Sequence, residues 1–132
     1  MRKHTYAIII PADSKPRPKI HEETAAAILA QYFETNVYFI ANKASRRTPD
    51  LRIGVDRWEI KSIQGTSSNT IKNNMRKAAT QSADIVIDLR RTKLHQTRAV
   101  GYVKYFLKYE NAARQIKKVI VITRAEKVLV VK

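Results

Sequence analysis

Cysteine is absent from the 132 residues of this chain, so disulfide bonds and cysteine-based zinc sites are excluded. A reducing compartment is therefore permitted. No apolar run reaches the length of a transmembrane helix, and the isoleucines that follow the basic N-terminus end at Pro11, before the core of a signal peptide develops. We expect a cytoplasmic protein, or one that acts in a cytoplasm, with no membrane partner.

Acidic residues are scarce, because 11 Asp and Glu stand against 26 Lys and Arg and give a net charge of +15. Such a chain is attracted to polyanions, either a nucleic-acid backbone or an anionic membrane surface. Membrane binding would need an amphipathic anchor or a polybasic tail, and the sequence contains neither. The basic residues are spread along the chain, as a phosphate-tracking surface requires. Nucleic acid is the predicted partner; the alternative is that the charge serves only solubility.

Hydrophobic residues make up 44% of the sequence, which suits one core, so we predict a single domain over residues 1–132. Residues 11–19 are rich in proline and are predicted to form a flexible connector. Helices are predicted at 21–33, 71–82 and 94–113, and strands at 6–10, 37–40, 50–53, 57–63, 84–89, 118–123 and 128–131. This alternation predicts an α/β (α+β, three-layer) fold with a mixed central sheet flanked by helices.

The predicted hairpin formed by residues 50–53 and 57–63 carries two carboxylates and a lysine. Side chains alternate along a strand, so Glu59 and Lys61 share one face while Trp58 and Ile60 share the other. The turn brings Asp50 back towards Glu59. These charges are predicted to converge on one spot, and the alternative is a cross-strand salt-bridge cluster on a solvated face.

Phosphodiester hydrolysis uses such a spot, because a hard divalent cation prefers oxygen ligands. Asp50 and Glu59 would supply carboxylate oxygens, and the carbonyl of Ile60 is a plausible third ligand. Lys61 would orient or deprotonate the attacking water, or stabilise charge in the transition state. Glu22, in the first turn of the first predicted helix, could complete the metal site. Its alternative role is to complement the helix dipole.

Several motifs together resemble a known family. The motifs are Pro49-Asp50, then eight residues, then Glu59-Ile60-Lys61; His21-Glu22 before an Ala-rich helix; and Lys77-Ala78-Ala79-Thr80-Gln81-Ser82 before Ile85-Val86-Ile87-Asp88. From about residue 21 to 132 the chain resembles PD-(D/E)xK nucleases, and among them the C-terminal tRNA nuclease toxin domains of CdiA proteins in contact-dependent growth inhibition. The resemblance implies a restriction-endonuclease-like core and Mg²⁺ (or Mn²⁺ or Zn²⁺) as cofactor. It also implies cleavage of RNA, with tRNA as the favoured substrate, in a target-cell cytoplasm, and a cognate immunity protein.

The resemblance also assigns residues. Glu22, Asp50, Glu59 and Lys61 match the metal-binding and catalytic set, and Gln81 matches a position on the second helix near the active centre. Nucleic-acid contacts are predicted at Arg46, Arg47, Asn74, Lys77, Arg90 and Arg91.

Asn74, Lys77 and Gln81 recur at near-helical spacing, so one polar stripe could face the phosphate. The alternative for Gln81 is a surface amide, and a lysine on a helix is usually only solvated.

The residues leave three functions open. RNA and DNA nucleases would share this site, since both backbones present the same phosphates and only the 2′-hydroxyl differs. A nucleic-acid-binding protein without catalysis would need only the charge. Against that, acids on a phosphate-binding face repel the substrate unless a cation lies between them. An immunity-like inhibitor would more naturally be acidic.

Overall fold

The computed structural model describes residues 5–14, 17–41 and 50–132. Within these residues it contains one mixed sheet of seven strands, which lie side by side in sequence order. The strands are β1 (Ile8–Ile9), β2 (Val37–Phe39), β3 (Leu51–Ile53), β4 (Asp56–Ser62), β5 (Asp84–Asp88), β6 (Lys118–Ile122) and β7 (Val128–Val130). The pairs β1–β2, β4–β5 and β5–β6 are parallel, and the other neighbouring pairs are antiparallel.

Helices cover both faces of this sheet. Helix α1 (Ile20–Phe33) packs on β1, β2 and β3, and its alanines allow a close approach. Helices α2 (Ser68–Ala79) and α3 (Gln96–Tyr109) pack together over the opposite face. This arrangement confirms the predicted fold class, a mixed sheet flanked by helices.

Two hydrophobic cores lie on opposite faces of the sheet that contains β4. Trp58 and Ile60 lie in the core beneath α1, whereas Ile63, just beyond the strand, lies in the core beneath α2 and α3. Since side chains alternate along a strand, Glu59 and Lys61 share the face that carries α2. The predicted division of β4 into an apolar face and a charged face is therefore present.

Helix α2 begins where the sequence supplies a cap. The side chain of Ser67 accepts a hydrogen bond from the N–H of Thr70 at 3.3 Å. The helix ends at Ala79, three residues before the predicted end. The reason is Ser82, whose hydroxyl donates to the carbonyl of Arg57 at 2.6 Å and ties the chain to β4.

The prediction of one helix over 94–113 was wrong at both ends. Helix α3 starts at Gln96, after His95 caps it by accepting from the N–H of Thr97 at 3.2 Å. The helix stops at Glu110, which has extended backbone angles, and a 3₁₀ turn follows at Asn111–Gln115. Glu110 forms ion pairs with α2 at 3.0 and 3.2 Å, so a contact between helices fixes the chain where the helix ends.

The hairpin predicted over residues 50–53 and 57–63 is present. Gly54 turns the chain between β3 and β4 with a φ of 61°, a conformation that glycine adopts without strain. Strand β7 pairs antiparallel with β6. Among the helices of the described residues, none is long and apolar enough to cross a membrane.

Candidate active site

The hairpin of β3 and β4 brings Asp50 and Glu59 together. Leu51 is the partner of Trp58 in the ladder, and the same register extended by one residue sets Asp50 opposite Glu59. The N–H of Ile60 donates to Oδ2 of Asp50 at 3.0 Å, which fixes the carboxylate beside β4. The two acids therefore meet at the end of the ladder, as the alternation predicted.

Glu59 is a buried acid with one unsatisfied oxygen. Its side chain is almost fully enclosed, with 2% of the residue exposed, and its Oε2 lies 3.0 Å from Nζ of Lys61. Its Oε1 is buried and has no hydrogen-bond partner among the residues that the structure describes. Burial and the charge of Asp50 raise the pKa of Glu59 to about 8, although Lys61 opposes the shift.

The pKa of Asp50 is raised as well. Burial raises its pKa, and the charge of Glu22 adds to that effect, while the N–H of Ile60 and the charge of Lys61 oppose it. Lys61 only partly offsets the two adjoining acids, because the pKa of both is still raised. The pair therefore either retains a proton or accommodates a cation.

Glu22 lies near this pair without joining it. Its Oε1 accepts a hydrogen bond from the N–H of Lys19 at 2.9 Å and so caps helix α1. Its charge nevertheless reaches Asp50. Over 5–14, 17–41 and 50–132, no three His, Asp or Glu side chains converge closely enough to enclose a metal ion. Of the predicted metal ligands, Asp50 and Glu59 lie together, whereas Glu22 lies near them but is bound to the N–H of Lys19.

Lys61 lines a depression beside α2. This cavity of about 320 Å³ is lined by Lys61, Arg76, Lys77, Thr80 and Gln81. The predicted positions Lys77 and Gln81 thus lie on the same surface as Lys61.

Asn74, the third residue of the predicted polar stripe, does not line this depression. Its amide donates to the carbonyl of Thr70 at 2.7 Å and is therefore turned along its own helix. Arg46 and Arg47 lie outside the described residues.

Arg90 was predicted to bind nucleic acid, but the structure shows it as an internal clamp. Its Nε and Nη2 donate to both oxygens of Asp88, at 3.0 and 2.8 Å. It also donates to Oγ1 of Thr24 at 2.8 Å and to the carbonyl of His21 at 2.7 Å. Four of the five guanidinium N–H groups are therefore engaged in the protein. Arg91 stays exposed, with Nη1 3.1 Å from a ring nitrogen of His21.

Asp88 is the residue that sequence reasoning missed. It is fully buried at the end of β5, and its pair with Arg90 holds the first turn of α1, including Glu22, against the sheet. The sequence did contain a signal for this ion pair. An acid at the end of a strand that is buried on both faces needs a cationic partner, and Arg90 follows Asp88 two residues later.

Comparisons with known proteins agree with this architecture. A family model described as the contact-dependent growth inhibition CdiA C-terminal domain matches residues 46–128, more than half of the chain. In fold, the chain is similar to a solved chain of a CdiA-CT/CdiI toxin and immunity complex from Burkholderia pseudomallei. The TM-score is 0.61 at 14% sequence identity, over 96% of this chain and 98% of that chain. No curated protein matches in sequence. The chain therefore belongs to the contact-dependent growth inhibition CdiA C-terminal domain family, which supports a toxin function.

Proposed function

We propose that the protein is a divalent-metal-dependent nuclease of the PD-(D/E)xK type that hydrolyses phosphodiester bonds of RNA, with tRNA as the favoured substrate. The observation that carries the proposal is the half-buried Asp50 next to the buried Glu59, which pairs with Lys61, in a chain of net charge +15. A binding protein for polyanions has no use for two acids in its basic surface unless a cation offsets them.

The residues fit a hard cation. Asp50 and Glu59 offer carboxylate oxygens, and Oε1 of Glu59 is buried without a partner among the described residues. The N–H of Ile60 points to Asp50, and in an antiparallel ladder the carbonyl of the same residue faces the same side. An all-oxygen donor set favours Mg²⁺ or Mn²⁺ over Zn²⁺. When bound, such an ion polarises the phosphate and lowers the pKa of a coordinated water.

Lys61 is the residue that would act on the attacking water. Its Nζ lies 3.0 Å from Oε2 of Glu59, and 20% of its side chain is exposed, so it reaches both the acid pair and the solvent side. In hydrolysis, a water oxygen forms a bond to phosphorus and gives up one proton to solvent, while the bond to the leaving oxygen breaks and that oxygen takes up one proton from solvent. Lys61 orients the water and stabilises the charge that develops on the phosphate oxygens.

The surface next to Lys61 suits the substrate backbone. Lys77 offers a charge and Gln81 an amide, and both line the same depression as Lys61. Such contacts position a phosphate without reading the sequence. Glu22 reaches Asp50 electrostatically and would tune the acid pair from the other side.

A DNA nuclease with the same site is the alternative. The test is incubation of the purified protein with total tRNA and, separately, with plasmid DNA, each with Mg²⁺ or with EDTA. Loss of intact tRNA that requires Mg²⁺ supports the proposal. Cleavage of DNA alone would favour the alternative, and binding without cleavage of either substrate would reject both nuclease assignments.

A cognate immunity protein also belongs to this proposal, with action in a target-cell cytoplasm, where tRNA is available. The similar Burkholderia pseudomallei structure is a complex of a toxin with an immunity protein, which supports such a partner here. The expected partner is acidic at its contact surface, since it must cover a strongly basic chain. Its signature would be stoichiometric inhibition of the nuclease.

A further inference from the structure

Three side chains form a row across β2, β3 and β4, on the face of the sheet that carries α2 and α3. Tyr38 of β2 is the ladder partner of Arg52 of β3, and Arg52 is in turn the partner of Arg57 of β4. We call these three residues the arginine row. Both arginines are exposed, and Tyr38 is half-buried. The neighbouring positions on β3, Leu51 and Ile53, are buried on the α1 side, so the row lies on the opposite face.

The two arginines oppose each other without an acidic partner. Directly opposed side chains of an antiparallel pair have Cβ atoms about 5 Å apart, and like charges there destabilise the sheet. No ion pair to Arg52 or Arg57 forms within the described part of the chain. The nearby acid Asp56 is instead paired with Lys118 at 2.7 Å. Both guanidinium groups therefore lack a carboxylate partner within the described residues, and they suit an anion from outside the chain.

Arg52 also presents a flat surface. Its guanidinium carbon lies 4.2 Å from the centre of the Tyr38 ring, and its Nη1 donates to the carbonyl of Gly54 at 2.9 Å. These two contacts hold the guanidinium over the ring and leave its outer side towards solvent. Guanidinium planes and aromatic rings are the surfaces on which unstacked RNA bases lie.

The arginine row adjoins the acid pair on the same face. Asp50 precedes Arg52 by two residues on one strand, and Glu59 follows Arg57 by two residues on the next. Two residues along a strand span about 7 Å. Adjoining phosphates of an extended single strand can bridge such a distance. The row therefore lies where the nucleotide next to the scissile phosphate would fall.

We propose that the arginine row is a nucleotide-binding subsite for single-stranded RNA. Arg57 and Arg52 bind the phosphate that adjoins the scissile one, and the layered Arg52 and Tyr38 side chains support its base. This inference rests on the proposed nuclease function, and it assigns to the substrate three residues that lie outside the acid pair and the depression beside α2.

The test is binding of a fluorescently labelled single-stranded RNA oligonucleotide, in EDTA, to the full chain and to Arg52→Gln and Arg57→Gln. The control is Lys104→Gln, an exposed lysine on α3 beside Val131 and Lys132, at the β7 edge of the sheet. Each arginine variant is expected to weaken binding on the order of tenfold. The slope of log Kd against log salt should fall by roughly 0.7 per arginine removed and much less in the control.

A second pair of measurements separates binding from folding. Arg57→Gln removes an exposed charge that forms no ion pair within the described residues, so its melting temperature should stay equal while its affinity falls. Arg52→Lys keeps the charge and loses the flat surface, so the salt slope should persist while affinity for the RNA drops. Affinity losses no larger than that of Lys104→Gln, or losses that appear only with a lowered melting temperature, would overturn the subsite. Cleavage of tRNA by the unaltered chain tests the nuclease function separately, so the two failures are distinguishable.

Discussion

Ile60 donates its backbone N–H to Oδ2 of Asp50 at 3.0 Å, and this bond sets the carboxyl of Asp50 opposite that of Glu59 at the end of the β3–β4 ladder. Because Ile60 lies on the face beneath α1, its side chain anchors the strand while its backbone serves the acid pair. The site is therefore built from a rigid hairpin.

The stability of the metal-free protein should fall as the pH rises. Glu59 has a folded pKa of about 8 against an ordinary value of 4.5, so the folded chain binds more protons than the unfolded chain between those values. Its contribution is complete below the ordinary value and is lost as the pH rises through about 8. Glu59→Gln removes this titration. Melting curves at about pH 6 and about pH 8.5 should show a steeper decline for the unaltered chain than for the variant. Equal declines would contradict the raised pKa.

Divalent cations should restore the folding stability that is lost as the pH rises. A cation bound by the ionised acid pair stabilises only the folded state, so Mg²⁺ should raise the melting temperature in mildly alkaline buffer, in proportion to its occupancy. The rise should be absent in Glu59→Gln and in Asp50→Asn. A rise of the same size in both variants would place the bound ion elsewhere.

Glu22→Gln should lower activity with little effect on folding. A glutamine at this position can still accept the hydrogen bond from the N–H of Lys19 and so keep the helix cap. The lost negative charge lies close enough to act on Asp50, where it would help to attract the cation, so we expect cleavage to fall by about tenfold at unchanged melting temperature. Glu23→Gln, the adjacent acid in the same helix turn, is the matched control. Equal activity in the two variants would limit Glu22 to capping.

The hairpin and the face on which its charged side chains lie were predictable because they depend on local rules. The alternation over β4 predicts which side chains share a face, and the short turn at Gly54 predicts which strand returns to it. The end of α3 was not predictable in this way, since Glu110 binds Lys72 and Arg76 of another helix. The burial of Arg90 has the same origin, because its partners Thr24 and His21 are distant in sequence.

Arg90→Ala should destabilise the fold. The substitution leaves the fully buried carboxylate of Asp88 without its ion pair, which typically costs about 3–5 kcal/mol. It also releases the first turn of α1. Urea denaturation should show this loss, whereas Arg91→Ala, with an exposed side chain, should change stability by less than about 1 kcal/mol. Similar stabilities for the two variants would argue against the clamp.

The most direct test of the active site is the rate of tRNA cleavage in Mg²⁺ by the unaltered chain, by Glu59→Gln and by Glu34→Gln. Glu34 is an exposed acid at the far end of α1, so its substitution makes the same chemical change away from the site. We predict that Glu59→Gln lowers the rate at least about a hundredfold and that Glu34→Gln leaves it unchanged. Cleavage that persists in Glu59→Gln at the rate of the control would contradict the assignment of this acid pair as the active site.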